Sequence, residues 1–365
     1  MTLKTDRKQI TLPSGETVEA MEPVIVSASR STDIPAFHAK WFVERLRAGY
    51  CVWYNPFNQK PSYVSFRKTR AIVFWTKNPG QLLKHLDEVD ATGIHYYFQY
   101  TLNDYDAEGF EPNLKPLQER IETFRELSAR IGPDCVIWRF DPIIMTPSMG
   151  PRDILMKIWN ISKALRGCTN KLVVSFIDVA PYRKVQNNLV AQVPCFNRDN
   201  VLSAEPTRAQ IDEICDGLAK IRDHWHKQGW NLQIATCAEK VDLDKYGIVH
   251  NKCVDDDLLR TLFGNDAELM EFLTPRPKRG KTADAGTQDM FGGLEPKVIP
   301  ISQSPLKDKG QRKECGCVQS KDIGMYNTCS HFCVYCYANT SRTAVENLLR
   351  ELARKPAKAR ESLVG

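Results

Sequence analysis

Three cysteines, Cys329, Cys333 and Cys336, fall within eight residues at spacings of four and three. Thiolate is the usual ligand of iron–sulfur clusters, and three thiolates from one tight loop can converge on three irons of a cubane, leaving the fourth open. A zinc knuckle is the competing reading. Zinc, however, prefers paired C-x2-C units or histidines that close a tetrahedron, and His331 inside the loop is poorly placed to serve. Metal-free structural thiols are the remaining alternative, with a disulfide less favoured still.

A second set is more dispersed. Cys237 ends an apolar run, Cys253 follows Asn251 and Lys252, and Cys315 and Cys317 precede the first loop. Four cysteines are enough in number to complete another site. Cys51, Cys135, Cys168, Cys195 and Cys215 read as ordinary thiols. Twelve cysteines in all, expected in a reducing cytosol, argue for metal or redox chemistry rather than a disulfide framework.

The elements that must position these groups repeat a strand, polar loop and helix pattern. Apolar runs at 24–28, 71–75, 95–103, 135–141, 171–178 and 231–237 read as strands, most of them followed by helical periodicity. Thr207 with Gln210 forms a capping-box signature for one of those helices. Polar or charged residues recur at the strand ends. The expectation is an α/β fold, a complete or partial (β/α) barrel of the TIM type with its site at the rim where the strands end. An open doubly wound sheet is the runner-up. The cluster loop is expected after a short strand and before a helix over 343–354, a βα unit in its own right.

At 365 residues, 42% hydrophobic and 26% charged, the chain can bury a core. The expected organisation is an arm or small hairpin at 1–21, the main part of the barrel at 22–273, a linker at 274–313, the cysteine-rich unit at 314–352 and a basic tail at 353–365. No apolar run approaches the roughly 20 residues of a membrane span. The first residues lack a secretory h-region, so a cytoplasmic location is expected. The net charge of +6 is concentrated around Arg276 to Lys281 and Arg354 to Arg360. Such runs are usually solvated and do not establish a nucleic-acid partner.

The sequence as a whole, over about residues 22–340, resembles the DUF1848 family and, through it, the spore-photoproduct-lyase-like branch of the radical S-adenosylmethionine (SAM) enzymes. The pieces that carry the resemblance are Ser29 to Pro35, Phe74 to Pro79, Ile137 to Ile143 and the cysteine-rich segment, in which Tyr335 precedes the last cysteine. Thr76 to Asn78, Tyr100 to Asn103, and Phe110 to Pro112 with Arg120 look like a recurrent series of that branch. Radical SAM proteins usually carry the three-cysteine loop after their first barrel strand, whereas here it comes last. The resemblance therefore implies a circularly permuted order, with the last βα unit beside the strand at 24–28.

The resemblance implies a [4Fe-4S] cluster on Cys329, Cys333 and Cys336, with SAM chelating its open iron. It implies an electron donor of the flavodoxin or ferredoxin type, and a radical acting on an unknown substrate. Lys77 would pair with the SAM carboxylate, and Thr101 and Asn103 would bond its methionine or ribose portion. Arg30, Asp33, Arg139, Asp141, Ser175 and Asp178 are candidates for the substrate wall, and because a buried charge at such a rim needs a partner, Arg139 and Asp141 read equally as structural pairs with one another's neighbours. The family pattern carries Cys237, Cys253, Cys315 and Cys317 as well, so a second [4Fe-4S] cluster is the preferred reading there, with zinc its rival. The contrasting hypothesis for the whole chain is a zinc-stabilised module that binds nucleic acid without radical chemistry.

Overall fold

In a computed structural model, which describes residues 6–274 and 306–364, the chain forms two sheets. The strands are β1 (Asp6–Thr11), β2 (Thr17–Glu22), β3 (Ile25–Ala28), β4 (Tyr50–Tyr54), β5 (Pro61–Ser65), β6 (Ala71–Thr76), β7 (His95–Thr101), β8 (Val136–Ile143), β9 (Lys171–Phe176), β10 (Gln233–Thr236), β11 (Val249–His250) and β12 (Lys321–Asp322). The helices are α1 (Ile34–Phe37), α2 (Ala39–Ala48), α3 (Gly80–Leu83), α4 (Leu86–Asp90), α5 (Leu117–Ile131), α6 (Pro151–Leu165), α7 (Arg183–Gln192), α8 (Arg208–Lys227), α9 (Asp256–Phe263), α10 (Ala267–Leu273) and α11 (Arg342–Ala353).

The large sheet has eight strands in the order β11-β10-β9-β8-β7-β6-β3-β12, every neighbouring pair parallel. Among the described residues no ladder joins β11 to β12, so the fold is α/β with a sheet open at that seam. Parallel strands buried on both faces read as unbroken apolar runs, which is why the strands beginning near 25, 71, 95, 136, 171 and 233 stand where the sequence places them.

Alternation of side chains divides the core in two. Val26, Ile72, Phe74, Phe98, Trp138 and Val174 pack with Phe42, Leu82, Phe124, Ile158 and Leu218 of the crossover helices. On the opposite face, Ile25, Val73, Tyr97, Ile137 and Val173 pack with Leu259, Leu269 and Leu273 of α9 and α10, and with Cys253, Cys315 and Cys317. The second thiol set therefore belongs to the face away from the crossover helices.

The last strand closes on one of the first. Lys321 and Asp322 of β12 pair with Val26 and Ser27 of β3. The Asp322 carboxylate accepts hydrogen bonds from Ser27 Oγ at 2.7 Å, Ser29 Oγ at 2.7 Å and the Arg30 amide at 2.8 Å. Gly324 lets the chain pass this close, since a Cβ there would lie 1.8 Å from Ser29 Oγ. The final βα unit thus stands beside the strand at 25–28.

The remaining expectations concern the periphery. Residues 6–22 form a hairpin, β1 with β2, that joins β5 and β4 in a four-stranded sheet. Of the expected linker, 275–305 lies outside the described residues, and Arg276, Lys278, Arg279 and Lys281 with it. Residues 306–318 are folded, with Lys307 Nζ donating to the carbonyls of Arg312, Lys313 and Cys315. The basic tail packs on the body: Trp41 and Arg45 donate to the carbonyls of Arg360 and Lys358, and Leu363 is buried. No described helix is long and apolar enough to cross a membrane.

Candidate functional site

The three-cysteine loop lies between β12 and α11, where the strands β3, β6, β7 and β8 end. Its path is fixed from several sides. Phe332 turns it with a φ of 56°. Asn339 and Asn113 donate to the carbonyls of Cys329 and Ser330 at 2.8 and 2.6 Å, and the Val334 amide donates to Phe110 O at 3.0 Å. His38 contacts the carbonyl of Thr328 through Nε2 at 2.8 Å, and His331 contacts Asp33 Oδ2 through Nε2 at 2.7 Å. The same Asp33 oxygen accepts the Lys77 amide at 2.7 Å. Asp33 is therefore a brace between α1, the end of β6 and the loop.

Behind the loop sits a buried ion pair. Lys77 Nζ lies 2.6 Å from Glu111 Oε1, with side chains 15% and 1% exposed. Lys77 also donates to Tyr335 OH at 2.9 Å, and Asn103 Nδ2 to Glu111 Oε1 at 3.0 Å. Tyr335 OH donates to the same Glu111 oxygen. Burial opposes both charges, yet the attraction prevails: Lys77 is held above the usual ammonium value, helped by Glu111, and Glu111 below the usual carboxylate value by Lys77 and the Tyr335 hydroxyl.

Two polar atoms in this array are buried and unpartnered among the described residues, Glu111 Oε2 and His331 Nδ1. An orphaned buried acceptor is costly unless a ligand or water supplies the donor. Burial also pushes the Cys329 thiol up to about 12 and that of Cys333 well above its ordinary value. Burial outweighs the pull of Lys77 on Cys333, so these thiols keep their protons until a metal displaces them.

Next along the rim, Arg139 Nη2 pairs with Asp141 Oδ2, and Ser175 Oγ donates to Asp141 Oδ1. Burial opposes the Asp141 charge, but Arg139 and Ser175 hold it below the usual carboxylate range. Asn103 Nδ2 donates to the carbonyl of Asp141 at 3.1 Å, which links this group to the Lys77 array. Thr101 is half-buried at the end of β7, opposite Arg139 in register. Asp178 is half-exposed and pairs with Arg312 at 2.8 Å.

The second thiol set converges on the sheet face lined by Tyr97 and Gln99. Cys237 Sγ is 3.3 Å from Cys253 Sγ. Cys317 Sγ accepts from the amides of Cys253 and Val254 at 3.2 and 3.3 Å. Arg139 Nη1 donates to Cys253 Sγ at 3.1 Å, and Arg30 is stacked 4.8 Å over Trp75. The Cys253 thiol lies well below its ordinary value, through Cys237 and Cys317 first and then the two arginines.

Zinc at about 2.3 Å from each sulfur would draw its ligands to within about 4 Å of one another. Among the described residues the only trio of possible ligand atoms within 4.8 Å is Asp255, Asp256 and Asp257, so neither thiol set is gathered to that span. Those aspartates are matched by Lys171, Lys252 and Arg260.

The sequence candidates thus divide. Lys77, Asn103, Asp33 and the three loop cysteines meet in one array, and Arg30, Arg139, Asp141 and Ser175 flank it on the side of the other cysteines. Asp178 lies further out, in its own ion pair. Glu111, Tyr335 and His331 were not among the candidate site residues. Glu111 lies in a loop, and its only sequence signal is the Phe110 to Pro112 motif.

A family model described as a domain of unknown function (DUF1848) matches residues 25–338. No curated protein is similar to the chain. Among solved structures, it is similar to the crystal structure of the Clostridial cellulose synthase subunit Z (CcsZ) from Clostridioides difficile, with 9% identity, a TM-score of 0.24, and coverage of 59% of this chain and 80% of that one.

Proposed function

The chain belongs to the DUF1848 family, and we propose that it is a radical SAM enzyme whose [4Fe-4S] cluster is held by Cys329, Cys333 and Cys336. The observation that carries this reading is the packing of the three-cysteine loop against a buried Lys77–Glu111 pair with one carboxylate oxygen left unpartnered. SAM presents an amino group and a carboxylate side by side, and this wall offers the complement of each. When bound, the reduced cluster would supply one electron to the sulfonium of SAM, whose S–C5' bond would break to leave methionine and a 5'-deoxyadenosyl group able to take a hydrogen atom from the substrate.

The residues of the chain bind and orient. Lys77 complements the carboxylate, and Glu111 Oε2 accepts from the amine. Tyr335 and Asn103 hold Glu111 in place, and Asp33 with His331 holds the loop. Thr101 and Asn103 border the methionine or ribose portion, and Arg139, Asp141 and Ser175 form the wall beyond it, on the substrate side. The eight-stranded sheet is read as a partial (β/α) barrel in permuted order, a reading supported by the pairing of β12 with β3. A cytoplasmic flavodoxin or ferredoxin type of protein would supply the electron.

The test is anaerobic reconstitution of the full chain with iron and sulfide, followed by reduction with dithionite in the presence of SAM. Brown protein that releases 5'-deoxyadenosine is the expected result. Colourless protein with stoichiometric zinc on Cys329, Cys333 and Cys336, and no cleavage of SAM, overturns the proposal in favour of a zinc-stabilised nucleic-acid-binding module.

A further inference from the structure

We propose that Cys237, Cys253, Cys315 and Cys317 hold a second iron–sulfur cluster, with the buried guanidinium groups of Arg30 and Arg139 as its counter-charges. This centre goes beyond the SAM site and stands or falls separately from it.

Four thiols reach this place from three stretches of chain: the end of β10, the segment after β11, and the 306–318 fold. Sulfur alone gives no reason for the gathering, since a free cysteine packs as a small hydrophobe anywhere in a core. The arginines make the case stronger. A buried guanidinium costs several kcal/mol unless an anion meets it, and two are buried against these sulfurs. Arg139 divides its donors between Asp141 and Cys253 Sγ. Arg30 stacks on Trp75, feels the opposing charges of Cys317 and Asp322, and its Nη2 has no acceptor among the described residues. Neutral thiols would leave that cation only Asp322, a carboxylate already bonded by Ser27, Ser29 and the Arg30 amide.

The charge count fits a cluster with four protein ligands. A core of roughly +2 inside four thiolates carries roughly two negative charges, which the two guanidiniums balance. Zinc with four thiolates carries the same charge, but its geometry is less well served. Structural zinc sites use ligand pairs spaced C-x2-C or wider, whereas Cys315 and Cys317 are separated by one residue. The thiols form a row, Cys237 to Cys253 to Cys317 to Cys315, with Cys237 and Cys253 Sγ 3.3 Å apart, so a bound centre of either kind has to rearrange the row around itself and the metal count decides between them.

The experiment counts iron in the full chain after anaerobic reconstitution. The expected values are about eight irons and eight sulfides per chain in the wild type and about four of each in the C329A/C333A/C336A variant, which stays brown and reducible. The C315S/C317S variant should lose the other four. About four irons in the wild type, all lost from C329A/C333A/C336A, would overturn this centre while leaving the SAM site intact. About four irons in the wild type, all retained in C329A/C333A/C336A and all lost from C315S/C317S, would support this centre and count against the SAM site. One zinc per chain, bound in colourless C329A/C333A/C336A protein and lost on C315S/C317S substitution, overturns the proposal as well. The wild-type count does not depend on whether any variant folds. Adding R30Q to the three-alanine variant should keep the iron and shift the midpoint potential to more negative values, because a counter-charge has gone. An unchanged potential would remove Arg30 from that role.

Discussion

Cys329, Cys333 and Cys336 come from a single loop and face a wall of mixed charge, whereas Cys237, Cys253, Cys315 and Cys317 come from three segments and face two arginines. The first set has three thiols and, beside them, a cation, an anion and one unused oxygen. That furnishing is complementary to a small zwitterion, as the proposed function requires. The second has four thiols met by hydrogen-bond donors, two backbone amides and the Arg139 guanidinium among them, which suits a centre closed to outside ligands. The number of thiols and the sign of the neighbouring charge therefore vary together, and each can be disturbed without the other.

The most severe disturbance is at the loop itself. Cys333→Ala should lower 5'-deoxyadenosine formation by about a thousandfold or more, which corresponds to about 4 kcal/mol. Cys317→Ala should spare SAM binding measured by calorimetry. Equal loss of SAM affinity in both variants would erase the distinction between an admitting site and a closed one.

A second intervention concerns the mixed-charge wall. Glu111→Ala leaves Lys77 buried without its partner and should cost the apo protein about 3–5 kcal/mol in a denaturant titration. The Lys77→Met/Glu111→Leu double variant should regain most of that stability but not the SAM affinity. If Glu111→Ala is neutral for stability, the pair is not the buried feature described here.

The third uses pH. Burial holds His38 down at about 4, against the pull of the Thr328 carbonyl, so its imidazole stays neutral in the folded chain and donates from Nε2. In the unfolded chain it titrates near 6.5, so between those values the unfolded state binds the extra proton. The stability due to His38 is thus complete above about 6.5 and is lost as pH falls toward 4, by on the order of 3 kcal/mol. Thermal unfolding of apo protein at pH 7 and 5 should show the decline, and His38→Gln should flatten it. A slope that persists in His38→Gln assigns the effect elsewhere.

The smallest effect lies away from both sets. Thr207 and Gln210 cap α8 reciprocally, at 2.8 Å and 3.3 Å. Thr207→Ala should cost about 1 kcal/mol with both iron counts unchanged. A changed count would mean that α8 communicates with the thiols.

The parts of this architecture that could be read in the sequence are those written locally. The buried parallel strands appear as apolar runs, the α8 cap as a four-residue pattern, and the three-cysteine loop as a spacing. What could not be read is written across long intervals. The strand β12 is only two residues long and exists because Ser27 and Ser29 bond Asp322. Glu111 becomes part of the site only when its loop folds against Lys77 and Tyr335. Arg30 and Arg139 read as rim residues open to substrate, yet both guanidiniums turn toward sulfur, a direction that no strand pattern specifies.

The pairing of β12 with β3 also sets an order of events during synthesis. Ser27 and Asp322 are 295 residues apart, so the strands between them are synthesised before the edge of β3 receives its last neighbour. Seven strands of the large sheet can assemble first, domain-like and in sequence. The three loop cysteines emerge only afterwards, onto a surface already in place. The wall on which those cysteines pack is thereby made before the cysteines themselves, so the order of synthesis matches the order in which the site can be built.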